Sequence, residues 1–263
     1  MPTRDELRGT FDEDAERYDR ARPRYPVQLL DDLLALAGGP VDVLDVGCGT
    51  GQLTVALAER GCRVTGLDLG PAMAAVARRN LASYPDARVD VGAFETWRPP
   101  AARFDAVVSA TAFHWIDPAV RLQRAAAALR PGGALALVTT EHVAGGTEDF
   151  FVEVQRCYER WDEDTPPGLR LAPVEDIPPP AALAPGAPGR ERFGQAASRD
   201  HLVDIAYTTA EYVDTLLTYS GHRALPPPAR RGLLECIARL IETRYGGRVV
   251  KRYLHRLDVA AVR

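Results

Sequence analysis

Residues able to do chemistry gather first in Val43-Leu44-Asp45-Val46-Gly47-Cys48-Gly49-Thr50-Gly51. An apolar run carrying one acid leads into glycines at alternate positions. Gln52-Leu53-Thr54-Val55-Ala56-Leu57-Ala58 follows with the spacing of an amphipathic helix, so the order reads strand, tight turn, helix. Glycine at Gly47, Gly49 and Gly51 permits positive φ and lets a ligand approach bare backbone. The helix beginning at Gln52 turns free N–H groups toward the same place. Such a loop holds a cofactor, although glycines alone would equally serve a tight turn.

Which cofactor follows from the neighbouring acids. The dinucleotide fingerprint is G-x-G-x-x-G, whereas here the glycines are spaced G-x-G-x-G with Asp45 two residues ahead of them. A carboxylate at the strand end is a poor neighbour for a pyrophosphate and a good one for a cation. S-adenosylmethionine carries a sulfonium and an ammonium close together and no phosphate. A second short strand, Cys62-Arg63-Val64-Thr65-Gly66-Leu67-Asp68-Leu69, also ends in an acid. Asp68 stands roughly twenty residues past the loop, the spacing at which a carboxylate accepts from ribose hydroxyls. That feature by itself fits NAD as well; Asp45 and the glycine spacing favour the sulfonium nucleoside.

Together these segments resemble the class I S-adenosylmethionine-dependent methyltransferases, with Val43 to Thr54 matching that family's first motif and Gly66-Leu67-Asp68-Leu69 its second. The resemblance implies that Asp45, Gly47 and Gly49, with Gly51 and Gln52 completing the loop, line the methionine end of the cofactor. It assigns Asp68 to the ribose and Leu69 and Met73 to the adenine. Val91-Gly92-Ala93-Phe94-Glu95 then meets the adenine amino group, with Phe94 stacked on or edging the ring. Ala93 stands where many members are polar, which leaves that contact to backbone groups or Glu95. Ser109 and Ala110 place backbone groups near the cofactor's amino-acid part, and His114 and Trp115 stand toward the substrate. His114 is the candidate general base, since an imidazole titrates near working pH; it also suits a cap or a packed wall with Trp115.

The arm from Phe11 to Pro26 contains Tyr18-x-x-x-Arg22-Pro23-x-Tyr25-Pro26. This is similar to the opening of a small-molecule subgroup that includes trans-aconitate carboxyl methyltransferases. The resemblance implies that Tyr18 and Arg22 cover the cofactor, Arg22 forking onto a carboxylate; a solvated arm steered by its prolines is the other reading. Near the C-terminus, Tyr219, His222 and Arg223 can read a polar substrate, or form a basic last helical turn capped by Gly221. Tyr158 and Trp161 fit lid core better than a substrate box.

Composition bounds the partners. The chain has 263 residues, 46% hydrophobic and 26% charged, with a net charge of −4, which suits one α/β domain with insertions or one domain plus a small cap. No basic excess marks a nucleic-acid partner. The charged residues Arg4, Asp5 and Glu6 stand where a signal peptide would be apolar, and no apolar run is long enough to span a bilayer. Cys48, Cys62, Cys157 and Cys236 are scattered without a C-x-x-C pair. That predicts reduced thiols, no metal site and a cytoplasmic setting. Alanine, arginine and proline are plentiful and lysine is nearly absent, the bias of a GC-rich bacterial source.

The elements that must position these residues alternate. A helix over 26–36, closed by Gly38-Gly39-Pro40, precedes a first strand at 41–46. Helices are expected at 52–60, 71–83 and 118–129 and strands at 63–67, 87–91, 104–110 and 134–140, with Arg130-Pro131-Gly132-Gly133 as a break. Alternation of this kind predicts a Rossmann-like, doubly wound, mostly parallel sheet with right-handed crossovers. Its ligands bind beyond the carboxyl ends of the strands. Past Thr140 the rhythm changes. A helix is expected at 148–162, a proline-rich surface segment at 165–188 and a strand at 192–206. Helices at 209–219, with Thr208 or Thr209 as N-cap, and at 229–245 lead to a final strand at 249–262. The expected organisation is an N-terminal arm and helix (1–40), a cofactor-binding core (41–140), a lid (141–245) and a strand completing the sheet (246–263).

The expected reaction is methyl transfer from S-adenosylmethionine to a small-molecule oxygen, carboxylate or hydroxyl, in bacterial secondary metabolism, by a monomer or homodimer. N- or C-methylation, a non-catalytic S-adenosylmethionine-binding protein and an NAD-dependent oxidoreductase on the same fold are the rivals.

Overall fold

The computed structural model describes residues 4–39, 41–98 and 103–263. Pro40, expected to help close the helix before the first strand, lies outside the described residues. The chain opens with α1 (Arg4–Gly9), α2 (Ala15–Ala21) and α3 (Val27–Leu36). The alternating core follows: β1 (Asp42–Val46), α4 (Gln52–Ala58), β2 (Arg63–Asp68), α5 (Pro71–Asn80), β3 (Arg88–Val91), β4 (Phe104–Ala110), α6 (Arg121–Ala128) and β5 (Leu129–His142). Then come α7 (Glu148–Glu153), α8 (Gln155–Trp161), β6 (Ala197–Thr208), α9 (Thr209–Leu216), α10 (Ser220–Ala224), α11 (Pro227–Arg244) and β7 (Arg248–Ala261).

Among the described residues, seven strands form one sheet in the order β3-β2-β1-β4-β5-β7-β6. β1 pairs in parallel with β2 and β4, β2 with β3, and β4 with β5. β7 runs against β5, because Val262 N bonds Gly133 O and Val143 N bonds Arg252 O, one index rising as the other falls. The fold is therefore α/β and Rossmann-like, with an antiparallel edge on a parallel core.

Several boundaries differ from the sequence expectation. β5 begins at Leu129 and runs through Arg130–Gly133 instead of breaking there. A register irregularity opposite, between Phe104 and Ala106, absorbs the turn-forming residues. The helix expected over 148–162 is two helices meeting at Val154. Gly221, expected as a C-cap, sits inside α10.

Contacts divide the chain into two compact units that are not consecutive in sequence: one of 1–22, 141–177 and 202–254, the other of 23–140, 178–201 and 255–263. The second contains the glycine loop. Its buried core includes Leu44, Val46, Leu67, Phe104, Val107, Leu135 and Leu137 beneath α6, and Leu29, Leu33, Leu53 and Leu57 from α3 and α4. The first packs Phe150, Tyr212, Leu216, Leu233, Ile237, Ile241 and Tyr253 into a core of its own. There the structure corrects the expectation of four reduced thiols: Cys157 of α8 and Cys236 of α11 are joined by a disulfide. They lie 79 residues apart, and the packing of α8 on α11 brings them together. Among the described residues no helix is long and apolar enough to cross a membrane.

Candidate functional site

In the unit with the glycine loop, β1 and β2 end side by side, with Val46 opposite Leu67. The loop is fastened across them: Gly47 N and Cys48 N both donate to Leu67 O, at 2.8 and 3.1 Å. Gly47, Gly49 and Gly51 all have positive φ (71°, 58° and 87°), the conformation only glycine adopts cheaply. A Cβ built on Gly47 would stand 2.3 Å from Ala112 Cβ, so the turn after β4 closes directly on the loop. Gly51 is the N-cap of α4.

Two carboxylates frame this cradle. Asp68 Oδ2 accepts from Gly49 N and Oδ1 from Gly70 N, each at 2.8 Å. The residue expected on the ribose thus also braces the loop. Asp45 is 1% exposed and accepts from Thr54 Oγ1 at 2.7 Å. Burial pushes its carboxyl up to about 7; the Thr54 hydrogen bond opposes the rise and the charge of Asp68 adds to it. A carboxyl in that state gains most from a cationic neighbour. Thr50 Oγ1, in the same loop, is buried without a hydrogen-bond partner, a polar group left for a ligand to satisfy. Bare glycine backbone, two acids and an orphaned hydroxyl fit S-adenosylmethionine, with its cationic centres and absence of phosphate.

The remaining expected cofactor residues are placed unevenly. Ser109 is buried at the end of β4 and donates to Val46 O at 2.7 Å, tying β4 to β1; Ala110 follows it. Gln52 opens α4 and is half-buried. Leu69 is 42% exposed past β2, and Met73 is buried within α5. Ala93 is half-buried, and Glu95 Oε1 accepts from Asp117 N at 3.3 Å. Phe94 corrects the expectation. Expected on the adenine, it is 2% exposed and packed in the core with Leu67, Phe113 and Trp97, because so large an apolar ring is more stable there than edging a polar base. Its backbone is what remains for a ligand.

Beyond Ala112, His114 and Trp115 lie in a 3₁₀ turn, Phe113–Trp115. His114 is an exposed residue whose ring packs 4.8 Å from that of Trp115. Desolvation of the ring chiefly, then the Arg121 charge, lowers its pKa from the ordinary histidine value, which favours the neutral imidazole, the form able to accept a proton. Sequence reasoning missed Thr111. It carries the positive φ of 53° that no other described non-glycine residue adopts. The constraint is imposed from both sides, Thr111 N donating to Val138 O and its Oγ1 to Ala110 O, both at 2.8 Å. Tyr25 Oη stands 3.5 Å from that same Oγ1.

The other unit gathers the residues expected from the arm and the C-terminal region. Arg22 follows α2. It donates to Thr218 O at 3.0 Å and lies over the rings of Tyr219 (4.3 Å) and Tyr18 (5.0 Å). Tyr158 Oη and His222 Nε2 are 3.0 Å apart. Burial chiefly, then Lys251, lowers His222 to about 4 against the pull of Asp162. Arg223, expected to read substrate, is instead engaged by Glu13 Oε2 at 2.6 Å and Leu217 O at 3.2 Å. It fastens α10 to the N-terminal arm, a pairing across 210 residues that no local pattern announces.

Lys251 escaped the sequence reading. It is 4% exposed and donates to Tyr219 Oη at 3.2 Å. Tyr219 Oη stands 3.4 Å from Tyr253 Oη, which is 3.0 Å from Tyr207 Oη. A signal was present: along Val249-x-Lys251-x-Tyr253-x-His255-x-Leu257, Lys251 occupies an inward position of an alternating strand.

Comparison with known proteins agrees with this geometry. Residues 43–133 match the family described as "Methyltransferase domain". An uncharacterised methyltransferase of Mycobacterium tuberculosis is 43% identical over 121 residues, 46% of this chain and 48% of that protein. The chain thus spans about half the length of the first curated relatives it matches. A trans-aconitate 2-methyltransferase of Rhizobium meliloti is 29% identical over 94% of this chain and 96% of its own. The solved structure of a candidate type II methyltransferase from Anaeromyxobacter dehalogenans superposes with a TM-score of 0.60 at 26% identity, covering 92% of this chain and 97% of that one. The stretch that this family matches, residues 43–133, is the one that carries the glycine cradle and the paired acids.

Proposed function

We propose that the chain transfers a methyl group from S-adenosylmethionine to an oxygen, carboxylate or hydroxyl, of a small molecule. The observation that carries this reading is the cradle itself: Gly47 and Gly49 at positive φ, walled by Asp45 and Asp68. Similarity along nearly the whole chain to a trans-aconitate 2-methyltransferase favours a small acceptor with an oxygen nucleophile.

When bound, the cofactor supplies a methyl group on a positively charged sulfur. Asp45 would face that positive charge as a carboxylate, and Asp68 would accept from the ribose hydroxyls while keeping Gly49 in place. The rate then comes largely from alignment of acceptor oxygen and methyl carbon, since a sulfonium is already a good electrophile. A carboxylate acceptor brings no proton to remove. A hydroxyl acceptor gives its proton to the neutral imidazole of His114, whose depressed pKa keeps that ring free to take it. Trp115 walls the same side.

Incubating the protein with methyl-labelled S-adenosylmethionine and a panel of small carboxylic acids, phenols and alcohols tests this. The expected result is label in an O-methyl ester or ether. Tight cofactor binding with no transfer would establish a non-catalytic binding protein, and label on nitrogen or carbon would replace the acceptor class.

A further inference from the structure

Lys251 is the single lysine among 32 Lys and Arg residues, and it is buried inside the first unit. An ammonium withdrawn from water costs several kcal/mol unless it is paired, and the usual pairing is a carboxylate. Among the described residues no carboxylate forms an ion pair with Lys251. Its hydrogen-bond partner is a phenol, Tyr219 Oη at 3.2 Å. Its other close neighbours are the faces of Tyr219 and Tyr253, with both centroids 4.9 Å from Nζ. An ammonium has three N–H donors, so a single phenol leaves it under-satisfied. The Arg22 guanidinium lies over the same Tyr219 ring, adding a second positive charge. Asp162, whose charge reaches His222, is engaged by Thr165 Oγ1 at 2.9 Å. A further polar atom points the same way: His142 Nε2, on a ring that burial and the nearby Lys251 keep neutral, is buried with no hydrogen-bond partner.

We propose that the Lys251–Tyr219–Arg22 group is a binding site for an oxyanion, a carboxylate or phosphoryl group carried by a small molecule, with Lys251 Nζ as its charged donor. The ammonium is a compact charge with three rotatable donors, so it can serve a phenol and an anion at once. Tyr219 Oη accepts a hydrogen bond from one ammonium N–H, and the anion accepts from the others. The inference rests on the proposed methyl transfer only in attributing the anion to the methyl acceptor; the site itself does not depend on that reading.

The single lysine supplies the test. In the full chain labelled with ¹³C,¹⁵N-lysine, one side-chain signal reports Lys251. Succinate and inorganic phosphate are titrated separately, without S-adenosylmethionine, against chloride at matched ionic strength. The expected result is a saturable shift, and the anion that saturates at lower concentration identifies the carboxylate or the phosphoryl form. In calorimetry Lys251→Met should weaken that anion at least tenfold. A lysine signal that follows both anions no further than chloride overturns the proposal, as does unchanged affinity in Lys251→Met. Should that variant fail to fold, Arg22→Gln, which removes the second positive charge of the group, takes its place on the same lysine signal: a weakened shift supports the site and an unchanged one overturns it. Failure of the methyltransferase reading would show differently, as absent S-adenosylmethionine binding with the anion shift intact.

Discussion

Thr54 Oγ1 donates to Asp45 Oδ2 at 2.7 Å, joining the first turn of α4 to the end of β1 beneath the glycine loop. Through this contact a carboxyl is held almost out of reach of water at a place where a cation is expected. The balance of burial against that one hydrogen bond sets how readily Asp45 ionises.

Burial, opposed by Thr54 and aided by Asp68, raises Asp45 from 3.8 to about 7. The folded state therefore prefers the protonated acid. This contribution to stability is intact below pH 4 and is lost as pH rises toward 7, at about 1.4 kcal/mol per pH unit at most. Asp45→Asn should flatten the decline, which denaturant midpoints of both proteins at pH 5 and pH 8 would reveal. A cation bound beside Asp45 favours ionisation, so S-adenosylmethionine should bind more tightly at pH 8 than at pH 6, with proton release measurable by calorimetry at the lower pH.

Asp68→Ala should weaken S-adenosylmethionine by about 1–3 kcal/mol, the cost of losing a charged hydrogen-bond partner. Because Asp68 also accepts from Gly49 N and Gly70 N, faster amide exchange at those two residues should accompany the loss. Unchanged affinity in calorimetry would remove the ribose assignment.

Gly47→Ala meets two obstacles at once: a φ of 71° and Ala112 Cβ at 2.3 Å from the new methyl. Destabilisation of about 2–4 kcal/mol is expected from overpacking and left-handed backbone together. Ala112→Gly relieves the clash but leaves the backbone cost, so the double variant should recover part of the lost stability in chemical denaturation.

The disulfide between Cys157 and Cys236 spans 79 residues. Removing a cross-link of that reach should cost about 2–4 kcal/mol. A Cys157→Ala/Cys236→Ala variant should therefore unfold at lower denaturant, and mass spectrometry of the intact chain should show the bond without added oxidant. Finding both thiols free would count against it.

Tyr219 should titrate early. Burial alone would raise its pKa, but Lys251, Arg22 and the hydrogen bonds from Tyr253 and Lys251 outweigh it and bring the phenol down to about 8. Tyr158, Tyr207, Tyr212 and Tyr253 are all pushed above the ordinary phenol value, chiefly by burial, so Tyr219 ionises before any of them. Ultraviolet titration should show one tyrosinate forming near pH 8, absent in Tyr219→Phe and shifted upward in Lys251→Met.

How much of this was legible beforehand varies with distance along the chain. The helix start at Thr208 or Thr209 could be read locally, and the capping box with Glu211, three residues on, makes Thr208 the cap. Phe94 was misplaced because a motif position says where the backbone passes and not which way a ring turns. Arg223 was misread because Glu13, its partner, lies in a distant arm.

What the amino-acid order determined by itself was the cofactor half: strand, positive-φ glycines, helix, second strand and acid. Each of those features is local, set by side-chain periodicity and by the conformations open to glycine. The tertiary structure alone decided that Arg22 lies on Tyr219, that Cys157 meets Cys236, and that the buried Lys251 sits among tyrosines, with no ion pair to an acid among the described residues. These contacts depend on which helices and strand edges pack together, and burial, which turns a lysine from a surface charge into a group in need of a counter-ion, exists only once that packing is complete.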